Sequence, residues 1–305
     1  MALLFVLFAQ ALGNEWNDFN FFTERFHKRY SSLEELETRF SIFRKNLMMI
    51  REHNEKNMFS MRVNQFADLT QEEFKAYVGV MPLKRIRCGV FSEITDTPSS
   101  IDWRTKGAVS SVKDQGQCGS CWTFSATGAI EGAWAIAKGQ LYNLSEQQMV
   151  DCAKLKYEGM GCNGGQMDGA FNFVIENGQC ELSSYPYTAK DGLCQQCLPV
   201  VNITSCMDVI PNNVAALKTA VSRQPVSVAI EADTRYFQFY SGGVLTSPEC
   251  GTNLDHGVLI VGYGVENSTD YWLVKNSWGT TWGEDGYVKI ANVCGITMNP
   301  SFPMI

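Results

Sequence analysis

Cys118 and Cys121 stand three residues apart in DQGQCGSCW, residues 114–122. Such a pair is a redox couple, half of a zinc site, or two thiols with unrelated jobs, and spacing alone leaves all three open. A thiol that acts as a nucleophile needs a base to take its proton and a third group to orient that base. The chain has only three histidines, His27, His53 and His256. The first two lie on polar or flanking parts of helix-patterned N-terminal segments, which leaves His256 as the imidazole for any later catalytic unit. It opens the apolar run of LDHGVLIVGYG, and Asn276 follows in WLVKNSWGTTWG. A neutral amide there can accept from the imidazole and set its ring and tautomer. Trp278 and Trp282 are close enough in sequence to keep water off that bond. Gln115 offers a side-chain N–H for a developing oxyanion beside the Cys121 backbone N–H.

Those groups need elements to hold them. SCWTFSATGAIEGAWAIAKG reads as a helix that starts at Ser120 and stops at Gly139, which places Cys121 at the positive end of a helix dipole, where thiolate is favoured. GGQMDGAFNFVIENG reads as a second helix ending at Gly178. From about Val226 onward short β-rich runs alternate with glycine-bearing turns: PVSVAIEA, HGVLIVGYG, DYWLVKNSW and GYVKIA. Helices first and strands later predict an α+β protein with a helical lobe and a sheet lobe.

The N-terminal third has its own pattern. Ser32 stands three before Glu35, a capping box, and Leu36, Phe40, Phe43, Leu47 and Ile50 form an apolar stripe. MRVNQFADLTQEEFKAY then reads as a short extended piece and another helix start. Residues 79–100 lose periodicity, collect Pro and Ser, and carry the basic residues Lys84, Arg85 and Arg87, so they read as a linker, either a processing region or a surface loop. The opening MALLFVLFAQALG is too short to span a bilayer and reads as a signal peptide, residues 1–13.

The 305 residues are 45% hydrophobic and 19% charged, enough for a sizeable core. Residues 1–96 carry 13 basic and 13 acidic side chains and residues 97–305 carry 12 and 19, so the net −7 sits in the later part. That excludes nucleic acid and anionic membrane as natural partners of this part. Eleven cysteines behind a signal imply an oxidising compartment, several disulfides and at least one thiol left over. Asn143, Asn202 and Asn267 head glycosylation triplets. Asn143 is the least suited, because Ser145 starts another capping pattern, SEQQ.

Together these residues closely resemble papain-like cysteine endopeptidases of the cathepsin L type, whose CGSCW and downstream His and Asn they reproduce. Glu35, Arg39, Phe43, Asn46, Ile50 and Asn54 repeat the family's propeptide helix pattern, and NQFAD at 64–68 resembles its second propeptide motif, with Arg62 where Gly is expected. DWR at 102–104 resembles the start of the mature enzyme, which implies processing near Thr97.

The resemblance implies a propeptide over 14–96 and a two-lobed peptidase domain over 97–305, the second lobe β-barrel-like and the active-site cleft between them. It implies Cys121 as nucleophile, His256 as base and acid, Asn276 as orienter and Gln115 as oxyanion donor. Gly165 would pair with substrate backbone. Gln166, Met167, Ala229, Leu254, Gly257 and Asn299 would build a pocket for a bulky apolar residue at P2. Disulfides Cys118–Cys162, Cys152–Cys194 and Cys250–Cys294 follow by the same resemblance. It leaves Cys88, Cys180, Cys197 and Cys206 over, for which we expect a Cys180–Cys197 bridge with Cys206 unpaired. No cofactor or metal is implied. Expected partners are protein and peptide substrates, the propeptide as inhibitor, and cystatin-like inhibitors. The expected state is a monomer in the secretory pathway, in a lysosome-like vesicle or outside the cell. An endopeptidase is implied over a dipeptidyl exopeptidase, because the latter's blocking loop uses histidines and none is spare. Two readings from other classes compete: a catalytically silent inhibitor, and a zinc or redox scaffold on Cys118-x-x-Cys121 with Cys194-x-x-Cys197.

Overall fold

A computed structural model describes residues 2–56, 59–79 and 87–305, with side chains from Asn14 onward. Met1, the side chains of the remaining signal-like residues, and Lys84 and Arg85 lie outside it. Helices α1 (Ala2–Arg25) and α2 (Leu33–Asn54) meet through aromatic rings, Phe19 lying 5.3 Å from both Phe40 and Phe43. The stripe on α2 does what its period requires, with Phe43, Leu47 and Ile50 buried. Its capping box is only half made. Ser32 accepts from the Glu35 N–H, but the Glu35 carboxylate accepts from Ser31 instead.

The asparagines of α2 hold backbone that follows it. Asn46 donates to the carbonyls of Ala67 and Leu69, and Asn54 pairs with Met61 through both its amide groups. His53 is not on a polar face: it is buried, with Nε2 3.1 Å from the Phe59 carbonyl, because the chain turns back over it. Strand β1 (Ser60–Met61) and helix α3 (Gln71–Phe74) follow, and at α3 Thr70 and Glu73 complete a reciprocal box.

The supposed linker is not structureless. It contains strand β2 (Gly89–Phe91), and β3 (Ile101–Asp102) comes next. Helices α4 (Cys121–Lys138), α5 (Glu146–Cys152) and α6 (Met167–Asn177) build one lobe. Strands β4 (Gln179–Cys180), β5 (Pro199–Val201) and β6 (Ser205–Val209) lead to helix α7 (Val214–Arg223). Then come β7 (Val226–Ile230), helix α8 (Arg235–Gln238), β8 (Tyr240–Gly242), β9 (Val244–Leu245), β10 (His256–Glu266), β11 (Thr269–Lys275), β12 (Tyr287–Ile290) and β13 (Ser301–Met304). The main sheet runs β2-β6-β13-β7-β10-β11-β12-β9, with β3 also on β10.

Two apolar clusters lie on the two faces of the sheet. One joins α4, α5 and α6 to Ala229, Leu259, Val261 and Leu273; the other joins Val228, Val258, Ile260 and Val274 to the rings of α1, α2 and α3. The N-terminal segment therefore docks on the sheet lobe, and β1 adds itself to β8 by antiparallel pairing. Arg62, the departure from the family pattern, stays at the surface and donates to the Gly283 carbonyl.

Five disulfides form. Cys118–Cys162, Cys152–Cys194, Cys250–Cys294 and Cys180–Cys197 are as expected. The fifth corrects the expectation that Cys206 is unpaired, because it is bonded to Cys88. The register explains it. Parallel pairing sets Gly89 opposite Met207, so the preceding residues, Cys88 and Cys206, meet as well. Cys121 alone stays free, and with Cys118 bonded elsewhere neither the redox couple nor the zinc clamp can form. No helix among the described residues is long and apolar enough to cross a membrane.

Candidate active site

Cys121 is the first residue of α4, after Ser120, and Gly139 ends the helix in the left-handed region at φ 73°. The loop before it is fixed from both sides. Gln115 exchanges backbone and side-chain bonds with Ser277, its N–H reaching the Ser277 carbonyl at 2.8 Å and its Oε1 accepting from the Ser277 hydroxyl at 2.6 Å. Tyr187 donates to the Gln115 carbonyl and contacts the Ser120 hydroxyl. The Cys118–Cys162 bond ties this loop to the glycine turn that carries Gly164 and Gly165. Gly165 must be glycine, since a Cβ would lie 2.5 Å from the Trp122 ring.

His256 begins β10, where it pairs with Ile230, and Asn276 follows directly after β11. The His256 Nε2 lies 2.8 Å from Asn276 Oδ1. That oxygen also accepts the Ser277 N–H, which identifies it as the carbonyl side of the amide. His256 must then donate from Nε2, leaving a lone pair on Nδ1, which is buried without a hydrogen-bond partner. Trp278 stacks on the imidazole at 4.7 Å and Trp282 packs edge-on against Trp278. The two lobes meet where β10 abuts the start of α4: a Cβ on Gly257 would come within 3.3 Å of Cys121 and Trp122 backbone.

The N-terminal segment lies over this centre. Tyr77 presents its carbonyl to Gln115 Nε2 at 3.0 Å and to the Trp278 indole N–H at 3.3 Å. Gly79 sits against the sulfur, and a Cβ there would be 3.2 Å from Sγ and 2.8 Å from the Gly119 carbonyl. Phe66 and Phe74 pack edge-on against Trp278. The cover changes the titration of both Cys121 and His256. Burial pushes the Cys121 thiol up to about 11, against the backbone N–H groups of Gly257, Gly79 and Trp122, which pull it down. Burial pushes His256 down to about 4, against the bond to Asn276. Under the cover, burial thus favours the neutral thiol and the neutral imidazole and works against the thiolate that the helix end favours.

The residues expected to line a P2 pocket come together. Ala229 on β7 faces Gly257 across the ladder, Met167 and Ala229 share one apolar cluster, Leu254 packs on it, and Asn299 donates to Gln166 at 3.2 Å. Sequence reasoning passed over Tyr77 and Gly79, which carry no chemistry of their own. It also passed over the buried charges beneath the site. There Lys113 bonds Glu131 and Glu146, while Lys275, pushed down to about 8 by burial, donates to Ser110, itself bonded to Glu131. Charged residues inside the apolar runs AIEGAW and WLVKNSW were the available signal.

A two-lobed α+β chain whose own N-terminal segment covers a Cys–His–Asn constellation defines the class, a masked thiol centre. The match to known proteins decides which. The family described as "Papain family cysteine protease" matches residues 97–304, and "Cathepsin propeptide inhibitor domain (I29)" matches 19–74. The chain belongs to the papain family of cysteine proteases and carries that family's propeptide domain. It is 50% identical to the probable cysteine protease RD21B of Arabidopsis thaliana over 88% of this chain and 61% of that protein. Against the senescence-specific cysteine protease SAG39 of Oryza sativa it is 47% identical, over 87% and 83% respectively. The chain thus spans somewhat under two thirds of the first of these relatives. Among solved structures, digestive procathepsin L 3 of Tenebrio molitor superposes with a TM-score of 0.90 at 41% identity, covering 95% of this chain and 99% of that one. Recombinant stem bromelain precursor gives 0.89 at 39%, covering 96% and 99%.

Proposed function

We propose that this chain is the zymogen of a cysteine endopeptidase of the secretory pathway, acting in an acidic vesicle or outside the cell. The observation that carries the reading is a peptide backbone already lying in the cleft. The Tyr77 carbonyl, on Gln115 Nε2, stands where the carbonyl oxygen of a substrate would develop negative charge.

Once the propeptide leaves, His256 Nδ1 takes the Cys121 proton and water reaches both groups, so the ion pair is no longer disfavoured by burial. The thiolate attacks the substrate carbonyl carbon. The oxyanion accepts from Gln115 Nε2 and the Cys121 N–H. His256 gives its proton to the leaving amine, and water, deprotonated by the same imidazole, hydrolyses the thioester. Asn276 keeps the ring in the tautomer this cycle needs. Met167, Ala229 and Leu254 offer an apolar wall to P2, and Asn299 is engaged with Gln166, which favours a bulky hydrophobic side chain there over arginine. Processing near Thr97 would free the domain over 97–305.

The test is hydrolysis of fluorogenic peptides with Phe or Leu at P2, at pH 5 with reductant, after the propeptide is removed. Thiol-dependent cleavage that an epoxide inhibitor abolishes by labelling Cys121 is expected. A fully processed protein that binds such peptides without cleaving them would sink the reading and favour a silent inhibitor.

A further inference from the structure

The bond between Cys88 and Cys206 joins the two parts of this molecule that activation must separate. Cys88 lies before the expected cut near Thr97 and Cys206 lies within the peptidase domain. Between them and the cut the chain clings to the sheet edge by modest contacts. Strand β2 pairs with β6 along three residues, Phe91 packs edge-on against Phe302, Glu93 pairs with Arg223, and the Thr95 N–H reaches the Thr219 hydroxyl. Ser92 to Asp96 are exposed and outside any helix or strand, as a cleavable segment should be. Those contacts can dissociate after a cut, but the disulfide cannot.

Resting on the reading of this chain as a zymogen, we propose that Cys88–Cys206 is a redox latch. A cut anywhere between Cys88 and the start of the mature domain leaves the propeptide covalently attached, and release requires a thiol or dithiol reductant as well as proteolysis. Nine Cα-to-Cα steps lead from Gly79 to Cys88, a reach of roughly 30 Å. A tether of that length holds the inhibitor at an effective concentration on the order of millimolar, so a cut propeptide keeps re-covering Cys121. In the release step a reductant thiolate attacks one sulfur of the pair to give a mixed disulfide. A second reductant thiol resolves it, leaving Cys88 and Cys206 as thiols and the reductant as its disulfide. The fourteen residues from Cys88 to Ile101 thus set the order of activation: cut, then reduction, then departure.

The experiment uses full-length C121A, in which residues 92–97 are replaced by the recognition sequence of a site-specific serine protease. Because this protein does not turn over, the readout is independent of the proposed activity. After the cut, denaturing electrophoresis without reductant is expected to show one linked species, and two pieces with dithiol. With the cut protein treated at pH 8 with or without dithiol and then brought to pH 4, gel filtration is expected to show the propeptide leaving at least about tenfold faster after dithiol than without it. In C88S/C206S on the same background it leaves equally fast either way. If the double variant does not fold, the dependence of release on dithiol concentration in the disulfide-bonded protein decides alone. Separation without reductant overturns the latch. So does a self-processed wild-type enzyme whose N-terminus lies before Cys88, since the bond would then link nothing that must part.

Discussion

The two lobes position their halves of the site by opposite means. The helical lobe presents Gln115 from an irregular loop and Cys121 from the first turn of α4 into which that loop runs, and three disulfides cross it, Cys118–Cys162, Cys152–Cys194 and Cys180–Cys197. The sheet lobe presents His256 and Asn276 from strand ends, where the β7–β10–β11 ladder and a wall of Trp278, Trp282 and Phe237 fix them. A loop has few partners of its own, so covalent closure supplies what a ladder supplies in the sheet. The propeptide exploits the same difference. It packs aromatic rings on the rigid wall, and Tyr77 and Gly79 cross to the thiol.

The comparison breaks first at the reacting atoms. Cys121→Ala on one side and His256→Ala on the other should each lower kcat/KM by at least about 10⁴, measured on the processed enzyme with a P2-Phe peptide. An equal loss from both lobes is the expected outcome; a His256→Ala enzyme with near-normal turnover would assign the base elsewhere.

The supporting amides sharpen it. Gln115→Ala should cost about 10²–10³ in kcat with KM little changed, as for a donor that works on the oxyanion. Asn276→Ala should cost about 10–100-fold and also move the pH–rate profile, because the imidazole loses the acceptor that sets its tautomer. A shifted profile for Gln115→Ala instead would reverse the two roles.

Stability should separate the lobes next. Replacing Cys118 and Cys162 by Ser is expected to cost about 2–5 kcal/mol, seen as a lower Tm, with activity falling alongside. In the propeptide, Asn46→Ala strips donors from two buried carbonyls and should cost about 1–3 kcal/mol of precursor stability, whereas Arg62→Ala, at the surface, should cost less than about 1. A larger effect at Arg62 than at Asn46 would contradict the packing described.

The smallest effect is that of pH on the propeptide alone. Partial burial pushes the Glu73 carboxyl up, but the Thr70 N–H, Arg39 and the Thr70 hydroxyl outweigh it and its pKa falls below 4.5. A depressed carboxyl stabilises fully above its unfolded value and loses that contribution as pH falls through the folded one. Loosening of the α2–α3 contact, followed by limited proteolysis, is therefore expected below about pH 4.5. Loosening at pH 6 would point to another group.

Much of this was legible beforehand because it is local. Ser120 and Gly139 bracket α4, the apolar stripe marks the buried face of α2, and β10 and β11 announce themselves as β-branched runs. What escaped is mostly long-range. The burial of His53 depends on a turn that brings Phe59 back over it. The strand β2 hides in a stretch with no periodicity, because three residues on a sheet edge need only one neighbour to pair with. The half-made box at Ser32 escaped for a local reason, since Ser31 offers Glu35 a competing donor four residues away.

By itself the sequence determined which residues could do chemistry and which elements would carry them, since side-chain type and hydrophobic period are properties of a few adjacent positions. The tertiary structure alone decided that Cys88 meets Cys206, because that pairing follows from the register of two strands 118 residues apart. It alone decided that burial under the propeptide pushes the Cys121 thiol up and His256 down, because a pKa answers to the burial and charges around a group, and these come together only when the chain has folded.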